Sequence, residues 1–178
     1  MSYLQNYVIP FSGLKPGAHQ YDFEVDDRFF ESFEDQEISQ GDIHVDLMLE
    51  KQERMLVLEF DIKGKVNIMC DRCLDLYDQP VSGKERLIVK FGEDYHEESE
   101  EVIVIPESEH QLDVSHYIYE FIHLLMPLKR VHPNDEEGIS SCNLDITGRM
   151  EAHENDKSTD PRWDALKNLQ TQMKNNHE

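Results

Sequence analysis

The sequence of 178 residues has little cysteine, few basic residues and no long apolar run. Three cysteines are too few for the disulfide framework of a small secreted domain. No stretch approaches the roughly 18 apolar residues that a membrane-spanning helix needs. The first residues lack the basic and apolar regions of a signal peptide. We therefore expect a soluble cytoplasmic protein with reduced thiols and no membrane partner.

Motifs that carry common enzyme chemistry are also missing. The sequence has no G-x-S-x-G, no phosphate-binding glycine loop and no H-E-x-x-H, which are the local signatures of several hydrolase and nucleotide-binding classes. We predict that the protein is not an enzyme and has no small-molecule substrate.

Acidic residues far outnumber basic residues in this sequence. The chain has 38 Asp and Glu against 17 Lys and Arg, giving a formal net charge of -21. Residues 1–50 carry -9, residues 93–126 carry -10 and residues 127–178 carry -3, whereas residues 51–92 carry +1. Such a surface repels a polyanion over most directions of approach. A basic protein is the more natural partner, although the acidity could also serve solubility alone.

Apolar and polar residues alternate in several segments, which indicates half-buried strands. The alternation covers residues 20–25, 42–49 and 55–62, with a hairpin loop at 50–54. Further strands are predicted at 65–69, after a turn at Gly64, and at 85–91 and 102–105. An apolar stripe at helical spacing predicts one long helix over about 113–126 that packs on the sheet. The fold class that we predict is α+β, with an antiparallel, barrel-like sheet.

The domain organisation follows from composition. We predict one α+β domain over 1–147, a flexible linker over 148–159 and a short amphipathic helix over 160–174. Asp160 and Pro161 are good helix-start signals, and Trp163 begins the apolar stripe of this helix. The helix either docks on its own domain or enters a groove on a partner, and Trp163 is then a binding residue.

The most informative motif is C-D-R-C at residues 70–73. Two thiols at this spacing can point at one tetrahedral metal ion, or each can be the other's redox partner. Cys142 and His132 are the candidates that would complete a zinc site with Cys70 and Cys73. The alternatives are a turn with two buried cysteines and no cofactor, and a thiol redox protein.

Basic residues near this motif are candidates for limited contact with phosphate groups. They lie in the only stretch that is not acidic, and the binding residues that we predict there are Lys63, Lys65, Arg72 and Arg86 with the cysteine pair. Any direct RNA contact should therefore be confined to a phosphate or two.

The residues also resemble a known family. Residues 66–74 resemble the C-x-R-C-L signature of the YceD family, the large ribosomal RNA subunit accumulation proteins. Phe91-Gly92, the L-D-V at 112–114 that opens an apolar helix, the L-M-P-L at 125–128 and the D-P-R-x-x-x-L-x-x-L ending at 160–169 follow in the family's order. The resemblance spans roughly residues 43–169.

The resemblance implies a non-enzymatic role in 23S rRNA accumulation and large-subunit assembly, in a bacterial or plastid setting. Many relatives carry a cysteine-rich stretch with the look of a metal site between the long helix and the ending. In this chain that stretch is 130–149, and Cys142 is its only cysteine. The positions that match the family's pattern are Cys70, Arg72, Cys73, Cys142 and Asn143.

Overall fold

A computed structural model describes residues 3–34, 37–134 and 140–155, without the side chains of residues 151 and 153–155. The chain divides into two compact units, Met1–Ser141 and Cys142–Glu178. Within the described residues, no helix combines the length and the apolar character that crossing a lipid bilayer requires.

The first unit is mixed α+β, with a sheet as its main element. A 3-10 helix, Tyr3–Tyr7, comes before the first strand. The strands are β1 (Val8–Ile9), β2 (Gly17–Val25), β3 (Gln40–Lys51), β4 (Met55–Met69), β5 (Leu76–Gly92), β6 (His96–Ser99), β7 (Val102–Pro106) and β8 (Leu112–Asp113). The helices are α1 (Asp27–Phe30) and α2 (Ser115–Leu124).

Six strands form the main sheet in the order β2-β3-β4-β5-β7-β6, and β1 pairs with β8. The prediction of a wholly antiparallel sheet is wrong at one pair, because β5 and β7 run parallel. The chain leaves β5, forms β6 at the outer edge and returns as β7 between them, so that β7 runs in the direction of β5.

The sheet is not closed, which corrects the barrel-like architecture predicted from the sequence. Its linear order leaves β2 and β6 as the edges. All four residues of β6 are exposed and two are glutamates. Closing the sheet through β6 would remove these carboxylates from water, which costs more than an open edge.

Alternation along the strands puts one face of the sheet in the core. The even positions of β4 from Leu56 to Ile68 are buried, apart from Gly64. Helix α2 packs against this face, where the rings of Phe60 and Phe121 lie 5.1 Å apart at a steep angle. The predicted packing of the apolar helix stripe on the sheet is therefore confirmed.

Helix α2 has ten residues and is shorter than the predicted 113–126. Asp113 belongs to β8, where it pairs with Val8, and its carboxylate accepts a hydrogen bond from the Ser115 amide at 2.9 Å. At the other end the Met126 amide donates to the His123 carbonyl, a tighter turn that comes just before Pro127. Helix α2 therefore begins later than predicted because Asp113 pairs in a strand, and it ends earlier because a proline follows.

The predicted turn at Gly64 is also wrong, because β4 runs through it to Met69. Gly64 pairs with Ile43 of β3. A Cβ atom at Gly64 would lie 2.2 Å from the Asp42 carbonyl oxygen and 2.6 Å from the Ile43 Cα. The glycine is therefore required by the close approach of two strands, and not by a change of direction.

The second unit contains helix α3, Leu144–Asn155. Asn143 caps its start, since the Asn143 Oδ1 accepts a hydrogen bond from the Asp145 amide at 3.1 Å. The helix covers the first eight residues of the segment 148–159 that we predicted as a linker. The rest of that segment, the helix predicted over 160–174 and Trp163 lie outside the described residues, so the predicted domain bounds stay predictions.

Candidate metal centre

The cysteine turn, residues 70–75, connects β4 to β5 at the end of the longest hairpin. Cys70 continues the even, inward-facing positions of β4, and its side chain is fully buried. The Cys70 amide donates to the Asp75 carbonyl at 2.9 Å, and the Leu74 amide donates to the Cys70 carbonyl at 3.0 Å. The Arg72 amide points at the Cys70 Sγ at 3.4 Å. In this turn the Cys70 and Cys73 sulfurs lie within 4.8 Å of each other.

The loop after α2 brings a histidine to this turn. The Asp71 amide donates to the Arg130 carbonyl at 2.7 Å, and the Arg130 amide donates to the Asp71 carboxylate at 2.8 Å. Two residues further along, the His132 Nδ1 lies 3.4 Å from the Cys73 Sγ. The His132 ring also contacts the ring of Tyr77 in β5, with centroids 4.8 Å apart.

The sequence-predicted ligands come together as a Cys/His cluster. One ligand atom from each of Cys70, Cys73, His132 and Cys142 lies within 4.8 Å of all the others. The three cysteines are buried and His132 is half-buried. All three are thiols and none is a disulfide partner. This donor set could hold a metal ion.

The spacing of the donor atoms can be compared with that of a tetrahedral site. Metal–sulfur bonds of about 2.3 Å and metal–nitrogen bonds of about 2.0 Å put neighbouring ligand atoms about 3.5–3.8 Å apart. The upper limit of 4.8 Å exceeds that spacing by about 1 Å, whereas the Cys73–His132 separation of 3.4 Å is slightly below it. Small side-chain rotations would bring the four atoms to tetrahedral distances.

The environment of Cys70 favours the thiolate. Burial raises the pKa of its thiol, but the amides of Cys73, Arg72 and His132 and the His132 ring stabilise the charged sulfur and lower it. The net effect lowers the pKa of Cys70 to about 6. Thiolates are the form in which cysteines bind metals.

Burial argues against the thiol redox alternative. A thiol that exchanges with a substrate disulfide must be reached by it, whereas Cys70 and Cys73 are both 0% exposed. The pair also lies between two antiparallel strands instead of at the start of a helix in a βαβ unit.

Among the predicted basic binding residues, Arg72 lies in the cysteine turn and the other three lie on strands. Lys63 and Lys65 lie on the outward-facing positions of β4 and Arg86 on those of β5. The Lys63 Nζ lies 3.0 Å from the Asp61 carboxylate, and the Lys65 Nζ lies 2.7 Å from Asp78. Arg72 is exposed in the turn itself. Both lysines are therefore already neutralised by neighbouring acids.

Sequence reasoning missed the residues that dock the histidine loop. The sequence pattern assigns no role to Asp71, yet Asp71 fixes the loop through Arg130. No motif includes Tyr77, whose ring contacts that of His132. The only available signal was the position of Asp71 inside the C-D-R-C motif, and nothing in the sequence pairs it with a residue 59 positions later.

Comparison with known protein families gives a match that covers more than half of the chain. Residues 58–170, which are 113 of the 178, match the family model described as "Large ribosomal RNA subunit accumulation protein YceD". The matched region runs from Leu58, near the start of β4, through the cysteine turn and all four residues of the cluster. No curated protein and no solved structure matches the chain.

Proposed function

We propose, starting from the fact that this chain belongs to the YceD family of large ribosomal RNA subunit accumulation proteins, that it supports 23S rRNA accumulation in the bacterial cytoplasm. The match over residues 58–170 is the observation that carries this proposal. We propose further that the protein acts in assembly of the large ribosomal subunit by binding a partner, and not by catalysis.

The proposed partner is a basic ribosomal protein or a basic assembly factor. A net charge of -21 attracts a basic chain and repels free RNA. Three lysines of the outer sheet face are paired with acids there, Lys63 and Lys84 with Asp61 and Lys65 with Asp78. Few cations are thus left to contact phosphates, so that direct RNA contact is at most limited.

Depletion of the protein tests the role in rRNA accumulation. We expect the ratio of 23S to 16S rRNA to fall in depleted cells and to recover when the wild-type chain is supplied. An unchanged ratio under several growth conditions would end the proposal.

Affinity purification at low salt, followed by washes of rising salt, tests the class of partner. Basic large-subunit proteins should copurify and leave as salt increases, because screening weakens contacts between exposed charges. Recovery of rRNA without basic proteins would contradict binding of a basic partner through charge. A sample treated with nuclease would serve as the control for RNA-bridged contacts.

A second candidate function is a structural zinc centre, which the buried Cys/His cluster favours. Three thiolates and one imidazole are a donor set that proteins use for structural zinc. Cys70, Cys73, His132 and Cys142 would be the ligands. When bound, the ion would join the cysteine turn to the loop that follows α2 and would contribute to folding.

Metal analysis of protein purified without chelator tests this candidate. We expect about one zinc ion per chain, and we expect Cys73→Ser to lower both the zinc content and the melting temperature. Arg72→Ser is the matched control, because it changes an exposed side chain in the same turn. Substoichiometric zinc together with an unchanged melting temperature for Cys73→Ser would rule the zinc centre out.

A further inference from the structure

A groove lies between helix α2 and the β6–β7 edge of the sheet, away from the cysteine turn. Its volume is about 630 Å³, which is within the usual range of ligand sites. Apolar side chains of α2 line one wall, where Tyr117, Phe121 and Leu124 follow one another at helical spacing. Leu124 is 71% exposed, so the groove presents apolar surface to solvent.

Carboxylates form the rim of this groove. Glu97 and Glu100 lie on the strand side and Glu120 on the helix side, and all three are exposed. Among the described residues that line the groove there is no lysine and no arginine. The nearby Lys90 is bound to Glu98 at 2.5 Å and does not neutralise the rim.

The negative charges around the groove affect the pKa of the Tyr117 hydroxyl. Burial and a hydrogen bond with Tyr95 raise the pKa of the Tyr117 hydroxyl, and the negative charges of Glu120 and Glu97 raise it further. Burial disfavours charge of either sign, so only the contribution of Glu120 and Glu97 to this rise reflects a local potential that favours a cation.

We propose that the acidic groove, the space between α2 and β6–β7 rimmed by Glu97, Glu100 and Glu120, binds a short basic segment of a protein partner that carries apolar side chains. The proposal rests on the proposed function and locates the partner's binding site. One or two apolar side chains enter between Tyr117 and Leu124, and flanking lysines or arginines meet the rim.

Dimensions and charge select this occupant over others. The wall from Tyr117 to Leu124 rises about 10 Å, which suits two turns of a helix or three residues of a strand. RNA is repelled by the rim. Among the described residues, the groups close enough to chelate an ion are those of the Cys/His cluster, and the rim carboxylates are not among them.

The test is a titration of the ¹⁵N-labelled full chain with a synthetic twelve-residue peptide of lysine and leucine at helical spacing. Amide shifts should concentrate on β6, β7 and α2. A peptide with serine in place of leucine should bind at least fivefold more weakly. Shifts spread evenly over the acidic surface, or equal binding of both peptides, would overturn the proposal.

Matched charge reversals separate the groove from general acidity. The groove triple, Glu97→Lys with Glu100→Lys and Glu120→Lys, and the control triple, Asp22→Lys with Glu31→Lys and Glu53→Lys, each change the net charge from -21 to -15. All six side chains are exposed, so both triples should fold. We expect the groove triple to weaken peptide binding at least tenfold and the control triple less than threefold. Equal weakening by the two triples would refute the groove.

Two further probes and one cellular assay complete the test. Leu124→Ser should weaken peptide binding more than Met48→Ser, a change at another exposed apolar residue.

A twelve-nucleotide RNA or Ca²⁺ that shifts the same groove amides would overturn the choice of occupant. If the peptide binds the groove but depletion of the protein leaves the 23S to 16S ratio unchanged, the proposed function falls while the groove stands. If the triple lowers the ratio and the peptide binds elsewhere, the reverse holds.

Discussion

Asp71 and Arg130 hold each other through two hydrogen bonds, from the Asp71 amide to the Arg130 carbonyl at 2.7 Å and from the Arg130 amide to the Asp71 carboxylate at 2.8 Å. Arg130 also pairs with Glu37 through its guanidinium. The pair fixes the loop that carries His132 against the cysteine turn. Asp71 is thus a positioning residue, which acts through the bonds it makes to the backbone of its neighbour.

The first prediction concerns this pair. Asp71→Ala removes the carboxylate acceptor, so His132 should lose its fixed position beside Cys73. Loss of such supporting contacts commonly weakens metal binding about 10–100-fold. Competition with a chromogenic chelator would measure the zinc affinity. Asp71→Asn keeps an oxygen acceptor and is the matched control, which should bind zinc nearly as the wild type does. Equal affinities for the alanine variant and the wild type would show that the pair does not position His132.

The second prediction concerns Leu74, the residue after the second thiol. Its φ is 63°, in the left-handed region, and its side chain is 64% exposed. A β-branched residue fits this conformation worse than leucine does, whereas glycine adopts it without strain. We expect Leu74→Val to lower the free energy of unfolding by about 1 kcal/mol and Leu74→Gly to leave it unchanged or raise it by up to about 1 kcal/mol. Urea denaturation would measure both. A stable valine variant with an unstable glycine variant would contradict this assignment.

Local alternation accounts for the burial of Cys70. The even positions of β4 are apolar from Leu56 onward, and the same alternation carries Cys70 into the core. The two-residue spacing to Cys73 then fixes a turn with both thiols on one side. These features depend on neighbours in the chain, which is why a single sequence contains them.

Long-range pairing could not be read in the same way. The sequence does not show that β7, and not β6, lies beside β5. That order depends on which edge of the sheet is open. The glycine at 64 has the same sequence signature whether it makes a turn or lets β3 approach. The joining of Asp71 to Arg130 spans 59 residues and leaves no periodic pattern. Such contacts follow from the tertiary fold, which local propensity does not specify.

The third prediction compares two glycines in neighbouring strands. A Cβ at Gly64 meets the backbone of Asp42 and Ile43, whereas a Cβ at Gly83 meets the Leu125 Cδ2 at 2.2 Å. Backbone cannot yield without parting two strands, while the end of a leucine can rotate. We expect Gly64→Ala to cost about 3 kcal/mol and Gly83→Ala about 1 kcal/mol or less.

Thermal and urea unfolding would measure these costs. Gly13→Ala is the control, because no atom lies within 4 Å of its Cβ position. Similar costs at Gly64 and Gly83 would mean that β3 and β4 can separate locally, contrary to their continuous pairing.

The fourth prediction follows from a cross-strand pair on the exposed face of β2 and β3. His44 and Glu24 are register partners, and the His44 Nδ1 lies 2.8 Å from the Glu24 carboxylate. The His44 Nε2 lies 3.5 Å from Asp46. The hydrogen bond with Glu24 raises the pKa of His44 above its ordinary 6.5; slight burial opposes the rise, and the charges of Glu24 and Asp46 add to it.

Because the pKa of His44 is raised in the folded state, the stability that this pair contributes is complete below pH 6.5 and is lost as pH rises through the folded-state pKa. The groups are exposed, so the contribution is small and salt weakens it. An NMR titration of the His44 ring should therefore have its midpoint above 6.5, and Glu24→Gln should move that midpoint down. Glu31→Gln, an exposed change outside this pair, should leave it where it was. A midpoint that does not respond to Glu24→Gln would show that the carboxylate does not set the protonation of His44, and the pH dependence of stability assigned to the pair would then have to come from elsewhere.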